Sequence, residues 1–332
     1  MRYIRFGVLS TAKIARTQLI PAMFRAGNAE VVAIASRGSK VHEVAAALQI
    51  PKAYESYDDL LKDPDIDAVY IPLPNYLHKE WVCKAADHDK HILCEKPAAL
   101  HEREAAEMIE YCKEKNVKFI EAFMYQLHPQ HERVREIIAS GEIGDVKLMK
   151  SSHSFYMKDR VTNIRMDKEM GGGSLYDMGC YSIHAACHIL QTEPIRAHAL
   201  AEMDPDTNVD VSTFAHLKMT NGVNVMFDCS FDMANRNEYE IIGTKGTIKV
   251  PYAFRPDKNE GGIGLIVVTC DGVSREERIP GDLYRLEVEH FSNYILEDGE
   301  PFNTAEETIR NMRAIDACYE SIQTGQVINI KQ

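Results

Sequence analysis

The 332-residue sequence has no apolar run near the roughly 20 residues needed to cross a bilayer. Its opening stretch, Met1-Arg2-Tyr3-Ile4-Arg5-Phe6-Gly7, has no apolar segment of signal-peptide length and no small-residue cleavage site, so a cytoplasmic protein is expected. Eight cysteines are spread along the chain without a single C-x-x-C pair, which argues against a zinc framework and points to reduced thiols rather than disulfides. Basic residues are outnumbered, 38 against 50, for a formal charge of −12. That balance disfavours a phosphate backbone or an anionic membrane as partner. Repeats and low-complexity linkers are also missing. What is present is 45% hydrophobic and 27% charged, enough chain for two domains with cores that need no cross-links.

The first 122 residues alternate between two periods. Apolar, β-branched runs at Tyr3–Leu9, Glu30–Ser36, Asp67–Ile71, His91–Cys94 and Val117–Glu121 predict buried parallel strands. Helical segments are expected between them at Lys13–Ala26, Lys40–Leu48, Tyr57–Lys62, His78–Asp87 and Glu102–Lys115. Such alternation makes a doubly wound α/β sheet, whose ligands bind beyond the carboxyl ends of the strands. From about residue 123 the pattern changes. Val211 to Met219 and Val223 to Phe231 alternate apolar and polar, joined through Asn221-Gly222, a strong hairpin signal. Further strands are expected at Glu238–Gly243, Thr247–Val250 and Gly264–Thr269, and helices near Leu286–Leu296 and Ala305–Thr324. The expected organisation is a Rossmann domain over 1–122 and an α+β domain over 123–332 with an open, mainly antiparallel sheet.

Strand ends carry the chemistry of the first domain. A dinucleotide site needs small residues where the backbone meets a pyrophosphate at a helix N-terminus. Ser10, Ala12 and Ala15 stand at the spacing of a G-x-G-x-x-G motif, none of them glycine, within Ser10-Thr11-Ala12-Lys13-Ile14-Ala15. A tight turn that binds nothing would have the same spacing. The second strand ends in Ser36-Arg37-Gly38-Ser39-Lys40, without the carboxylate that would take a ribose 2′-hydroxyl. A guanidinium can fork onto a 2′-phosphate, so NADP(H) fits better than NAD(H).

The fourth strand ends in Glu95-Lys96-Pro97, which sets a lysine at the mouth of the crevice. Further on, Gly171-Gly172-Gly173-Ser174 leads into a helix with Ser174 as its expected cap. Asp177, Tyr181, His184 and His188 follow at i, i+4, i+7 and i+11, which at about 100° per residue share a stripe roughly 60° wide. The polar face of an amphipathic helix has the same pattern. A metal site is not expected: the two histidines lack the glutamate of an H-E-x-x-H pair. Loops at Phe155–Arg165 and Met233–Glu238, with Met157, Arg160, Asn163 and Arg165, are candidates for the pocket wall.

Glu95-Lys96-Pro97 together with Gly171–His184 resembles the Gfo/Idh/MocA oxidoreductase family over essentially the whole chain. Leu9-Ser10-Thr11-Ala12, Glu121-Ala122-Phe123-Met124 and Asp177-Met178-Gly179-Cys180-Tyr181 are similar in particular to its NADP-dependent dihydrodiol and D-xylose dehydrogenases. The resemblance implies Lys96 as the active-site lysine, with a cis bond to Pro97. It implies Leu73, Asn75, His78 and Glu95 beside the cofactor, and Asp177 and His184 at the substrate. Many members carry histidine where this chain has Tyr181; the dihydrodiol branch has tyrosine there and uses it as acid/base. The implied function is hydride transfer between the nicotinamide and a carbinol or carbonyl carbon of a sugar, polyol or dihydrodiol, by a homodimer. The alternative is an NADP-binding sugar sensor on the same fold. A tyrosine, with its pKa of about 10, is a poor base at neutral pH unless an ammonium such as that of Lys96 stabilises the phenolate.

Overall fold

A computed structural model describes residues 3–331. It divides into two compact units: residues up to Met124 together with Tyr284–Ile309, and Tyr125–Leu283 together with the residues from Arg310. The division thus falls at 124/125, and Tyr284–Ile309, expected in the second domain, belongs to the first unit. The physical reason is apolar: Val288 and Phe291 are fully buried, and Phe291 packs on Phe6 with ring centroids 5.9 Å apart.

The first unit holds six parallel strands: β1 (Ile4–Leu9), β2 (Ala29–Ala35), β3 (Lys52–Tyr54), β4 (Ala68–Ile71), β5 (His91–Glu95) and β6 (Phe119–Ala122). Their order is β3-β2-β1-β4-β5-β6, which reverses direction between β1 and β4 and so opens a crevice at that switch point. The connecting helices are α1 (Ile20–Arg25), α2 (Lys40–Ala47), α3 (Tyr57–Leu61), α4 (His78–Asp87) and α5 (Glu102–Glu114). β4 is buried at all four positions, which is why its run in the sequence is continuously apolar. Three residues, Lys-Ala-Tyr, make β3, too short to leave a periodic signal, and it was not expected from the sequence.

The second unit is built on nine strands. They are β7 (Val146–Tyr156), β8 (Pro194–Met203), β9 (Asp210–Met219), β10 (Asn224–Ser230), β11 (Asp232–Gly243), β12 (Gly246–Val250), β13 (Ile263–Cys270), β14 (Val273–Pro280) and β15 (Ile328–Asn329). The order is β14-β13-β12-β11-β7-β10-β9-β8-β15, with β7 and β10 parallel and every other pair antiparallel. Helices α6 (Pro129–Ala139) and α7 (Cys180–Leu190) belong to this unit; α8 (Leu283–Glu297) and α9 (Ala305–Thr324) complete the chain. Along β9 the residues at 213, 215, 217 and 219 are buried while Phe214 and His216 are exposed. One face is therefore core and the other open.

Two local expectations are corrected. The β9–β10 turn is longer than a two-residue hairpin: Gly222 N–H donates to Met219 C=O, and of Asn221 and Gly222 only the glycine has positive φ, 86°. Residues 233–238, expected as a loop, lie within β11, where Arg236 bonds Ser154 of β7 at 2.9 Å.

Candidate active site

At the carboxyl end of β1 the backbone turns sharply. Ser10 has φ of 149°, rare for a side-chain-bearing residue, and its Oγ accepts the Ala12 N–H at 3.0 Å. The chain enters its first helical turn at Lys13, and Arg16 N–H reaches Ala12 C=O at 3.1 Å. Ala15 is fully buried where the helix meets the sheet, so a small residue is needed there. The opening N–H groups of this helix have no carbonyl one turn back, the condition for receiving an anion. At the end of β2, Ser36 is half-buried while Arg37 and Lys40 are exposed. Burial pushes the Tyr57 phenol up, against the Arg37 charge and the influence of Ser10. Small residues at one strand end and exposed cations at the next fit a dinucleotide carrying a 2′-phosphate.

The Lys96-Pro97 peptide bond is cis. Tyr70, fully buried, donates to Glu95 Oε1 at 2.5 Å. Glu287 is buried close by; burial and then the Glu95 charge push its carboxyl well above the usual range. Glu121 Oε1 accepts the Ala98 N–H at 2.8 Å, and Asn303 Nδ2 contacts the Glu121 main-chain oxygen at 3.3 Å. Burial raises the Glu121 carboxyl to about 7, against the pull of these donors and of Lys96. His78 departs from expectation. It is fully buried, with Nδ1 3.0 Å from Pro97 C=O and Nε2 2.8 Å from Leu73 C=O. Burial lowers its pKa, against the pull of the Leu73, Pro97 and Ala98 main chain, and the ring lies between two loops. Asn75 and Lys96 are half-buried.

In the second unit the residues of the expected stripe sit on a helix that begins with a wide turn. Cys180 N–H bonds Leu175 C=O, five residues back, before α7 continues regularly. Such a turn breaks the 100° phase assumed from the sequence, and wide turns of this kind recur at functional sites. Ser174 does not cap the helix with its side chain. A carboxylate from another strand does: Asp210 Oδ2 accepts the Leu175 N–H at 2.8 Å, Ser174 Oγ at 2.8 Å and Thr213 Oγ1 at 3.0 Å. Its Oδ1 accepts the Tyr319 hydroxyl at 2.9 Å.

The stripe is not a solvated face. Tyr181 is 6% exposed, among the rings of Tyr125, His153 and Phe254 at 5.8, 5.4 and 5.4 Å. Buried His184 has Nδ1 2.6 Å from the Tyr125 hydroxyl. His188 faces Arg135 at 2.9 Å, and burial, followed by His184 and Arg135, lowers it to about 2. Asp177 is half-buried and accepts Arg165 Nε at 2.6 Å. Of the pocket-wall candidates, Arg160 pairs with Asp232 at 2.5 Å, Asn163 accepts the Arg165 N–H at 3.1 Å, and Met157 is buried. Glu121, Asp210, Tyr125 and His153 were not assigned from the sequence. Glu121 had a trace in the Glu121-Ala122-Phe123-Met124 run; the others carry no local pattern that sets them apart.

The family model described as oxidoreductase family, NAD-binding Rossmann fold, matches residues 4–123, and the GFO/IDH/MocA C-terminal domain model matches residues 131–249. D-xylose 1-dehydrogenase (NADP(+)) 2 of Haloferax volcanii is 40% identical over 98% of this chain and 99% of its own. Trans-1,2-dihydrobenzene-1,2-diol dehydrogenase of Xenopus laevis is 31% identical over 74% of this chain and 75% of its own. A crystal structure of a 3-ketoreductase from Actinomadura kijaniata, in complex with NADP and TDP-benzene, superposes with a TM-score of 0.90 at 29% identity, covering 96% of this chain and 98% of that one. All three are enzymes, so the sensor reading has no counterpart among them.

Proposed function

The chain belongs to the GFO/IDH/MocA oxidoreductase family and is an NAD(P)-dependent oxidoreductase; from that premise we propose that it moves a hydride between NADP(H) and a carbinol or carbonyl carbon of an aldose, polyol or dihydrodiol. The nicotinamide, when bound, supplies the carbon that takes or gives the hydride. Ser10, Thr11, Ala12, Lys13 and Ile14 would hold the pyrophosphate, with donors from the backbone N–H groups at the start of the helix, since the Ala12 N–H already donates to Ser10 Oγ. Ser36, Arg37 and Lys40 recognise the 2′-phosphate, where Arg37 offers the forked donor that favours NADP(H). Leu73, Asn75 and Glu95 border the nicotinamide, and His78 acts through the loops it bridges.

Tyr181 is the acid/base in this reading. During oxidation its phenolate takes the substrate hydroxyl proton as hydride leaves the carbon; during reduction the phenol returns it. A phenolate near neutral pH needs positive charge; Lys96 is the ammonium assigned to the substrate oxygen, where its charge would favour oxyanion character. Asp177 binds a substrate hydroxyl. His184, bonded to Tyr125, is buried behind them as a support.

One observation carries the proposal: Glu95-Lys96-Pro97 beyond a buried parallel strand and Asp177-to-Tyr181 on a helix occur in one chain that a D-xylose dehydrogenase matches end to end. Tyr181→Phe is therefore expected to cut turnover by about 10²- to 10⁴-fold while NADPH affinity, followed by fluorescence, stays near that of the parent. Near-normal turnover would remove the tyrosine from the mechanism.

The open face of the second sheet supports a homodimer. Leu200 and Phe214 pair across β8 and β9 and are 60% and 41% exposed, with Met226 exposed on β10. A second copy covering this face would bury them. All eight cysteines are thiols, in keeping with a reducing cytoplasm.

A further inference from the structure

We propose that Arg165 is a positioning residue for the reaction, acting through Asp177: its guanidinium fixes the plane of that carboxylate. This rests on the roles given above to Asp177 and Tyr181. The contact is direct, Arg165 Nε donating to Asp177 Oδ2 at 2.6 Å. An aspartate on a helix can rotate its carboxylate; a charge-assisted bond of this length removes that freedom and leaves one orientation to meet a substrate hydroxyl. The Asp177 charge, and its hydrogen bond, raise the pKa of Arg165 against the opposing effect of burial.

The backbone around the pair is built for this contact. Asn163 Oδ1 accepts the Arg165 N–H at 3.1 Å, and Arg165 C=O accepts the Gly173 N–H at 3.0 Å. Asp167 C=O accepts the Gly172 N–H at 2.8 Å. A Cβ on Gly172 would lie 2.5 Å from the Arg165 oxygen and 2.7 Å from that of Asp167. On Gly173, at φ of 130°, it would lie 2.2 Å from Asp210 Oδ1. The glycines thus admit the backbone of residues 165–167 against the start of the helix, where Asp177 waits one turn on. The other candidate arginine of this loop does not compete, because Arg160 is paired with Asp232.

The test is a double-mutant cycle of Arg165→Met and Asp177→Asn in the full-length protein. It uses NADP⁺ with D-xylose, or with whichever aldose, polyol or dihydrodiol the parent oxidises fastest. Each single variant is expected to lose about 10- to 100-fold in kcat, and the double variant no more than about 3-fold beyond the worse single. Arg165→Lys should recover part of the loss. Melting temperature and NADPH affinity should stay at parent values. Losses that multiply, an Arg165→Met variant within about twofold of the parent, or a loss of kcat that merely tracks a fall in melting temperature would each overturn the inference. Tyr181→Phe assayed alongside separates the two levels: if it is inactive while the cycle is additive, only the role of Arg165 fails. If it is active, or the parent oxidises none of the probes, the functional reading fails and this inference with it.

Discussion

Glu121 in the first unit and Asp210 in the second are both buried carboxyls at strand ends, and each holds a backbone N–H close to a residue of the proposed chemistry, yet they collect different numbers of donors. Asp210 takes four: a backbone N–H, two aliphatic hydroxyls and a phenol. Glu121 takes the Ala98 N–H at 2.8 Å and Asn303 Nδ2 at a marginal 3.5 Å, with Thr308 also pulling its carboxyl down. Burial raises both, Glu121 as far as about 7. Donors decide how much of a buried carboxylate's lost hydration is replaced. The helix bearing Asp177 and Tyr181 is therefore pinned by a carboxyl group with four donors, and the turn bearing Lys96 by a group that can gain or lose a proton near neutrality.

The largest effect should come from Asp210→Asn, which puts amide hydrogens against donors. Urea unfolding at pH 7 is expected to show a loss of roughly 3 kcal/mol or more, against about 1 kcal/mol or less for Glu121→Gln, whose amide oxygen can still accept from Ala98. Equal losses would break the contrast. Next comes pH. Between about 4.5 and about 7 the folded chain keeps a proton on Glu121 that the unfolded chain has lost. This residue therefore makes stability fall as pH rises through that window, by about 3 kcal/mol in all, and level off above it. Glu121→Gln should flatten that slope in melting temperatures measured across the window; an unchanged slope would mean the proton lies elsewhere.

A smaller effect separates the units by function. Arg37→Ala should weaken NADPH binding about tenfold or more and NADH binding far less, with kcat at saturating cofactor nearly kept. Equal weakening of both cofactors would argue against 2′-phosphate recognition. The smallest effect on stability is expected from Leu200→Glu with Phe214→Glu on the open sheet face. Light scattering should show a halved mass with little change in melting temperature; an unchanged mass would place the interface elsewhere or nowhere.

The fold could be read from the sequence wherever burial is periodic. β4, buried throughout, reads as a continuous apolar run, and β9, half-buried, as an alternating one. β3 was missed because three residues make no period, and the segment of Tyr284–Ile309 was misplaced because a helical pattern does not say which core it packs on. In the candidate site, Lys96, Asp177 and Tyr181 were found through local runs of residues. Glu121, Asp210 and the Arg165–Asp177 contact were not, since each partner is distant in sequence or lies across a loop.

Composition and periodicity by themselves determined an α/β chain with a parallel sheet first and an open sheet second, because the pattern of burial is written residue by residue. Only the tertiary structure decided which buried charges have partners: that His78 is a strut, that Asp210 caps the helix expected to be capped by Ser174, and that the glycine run receives the backbone of Arg165. Hydrogen bonds are settled within about 3 Å, and the distance along the chain between their partners leaves no mark in the sequence.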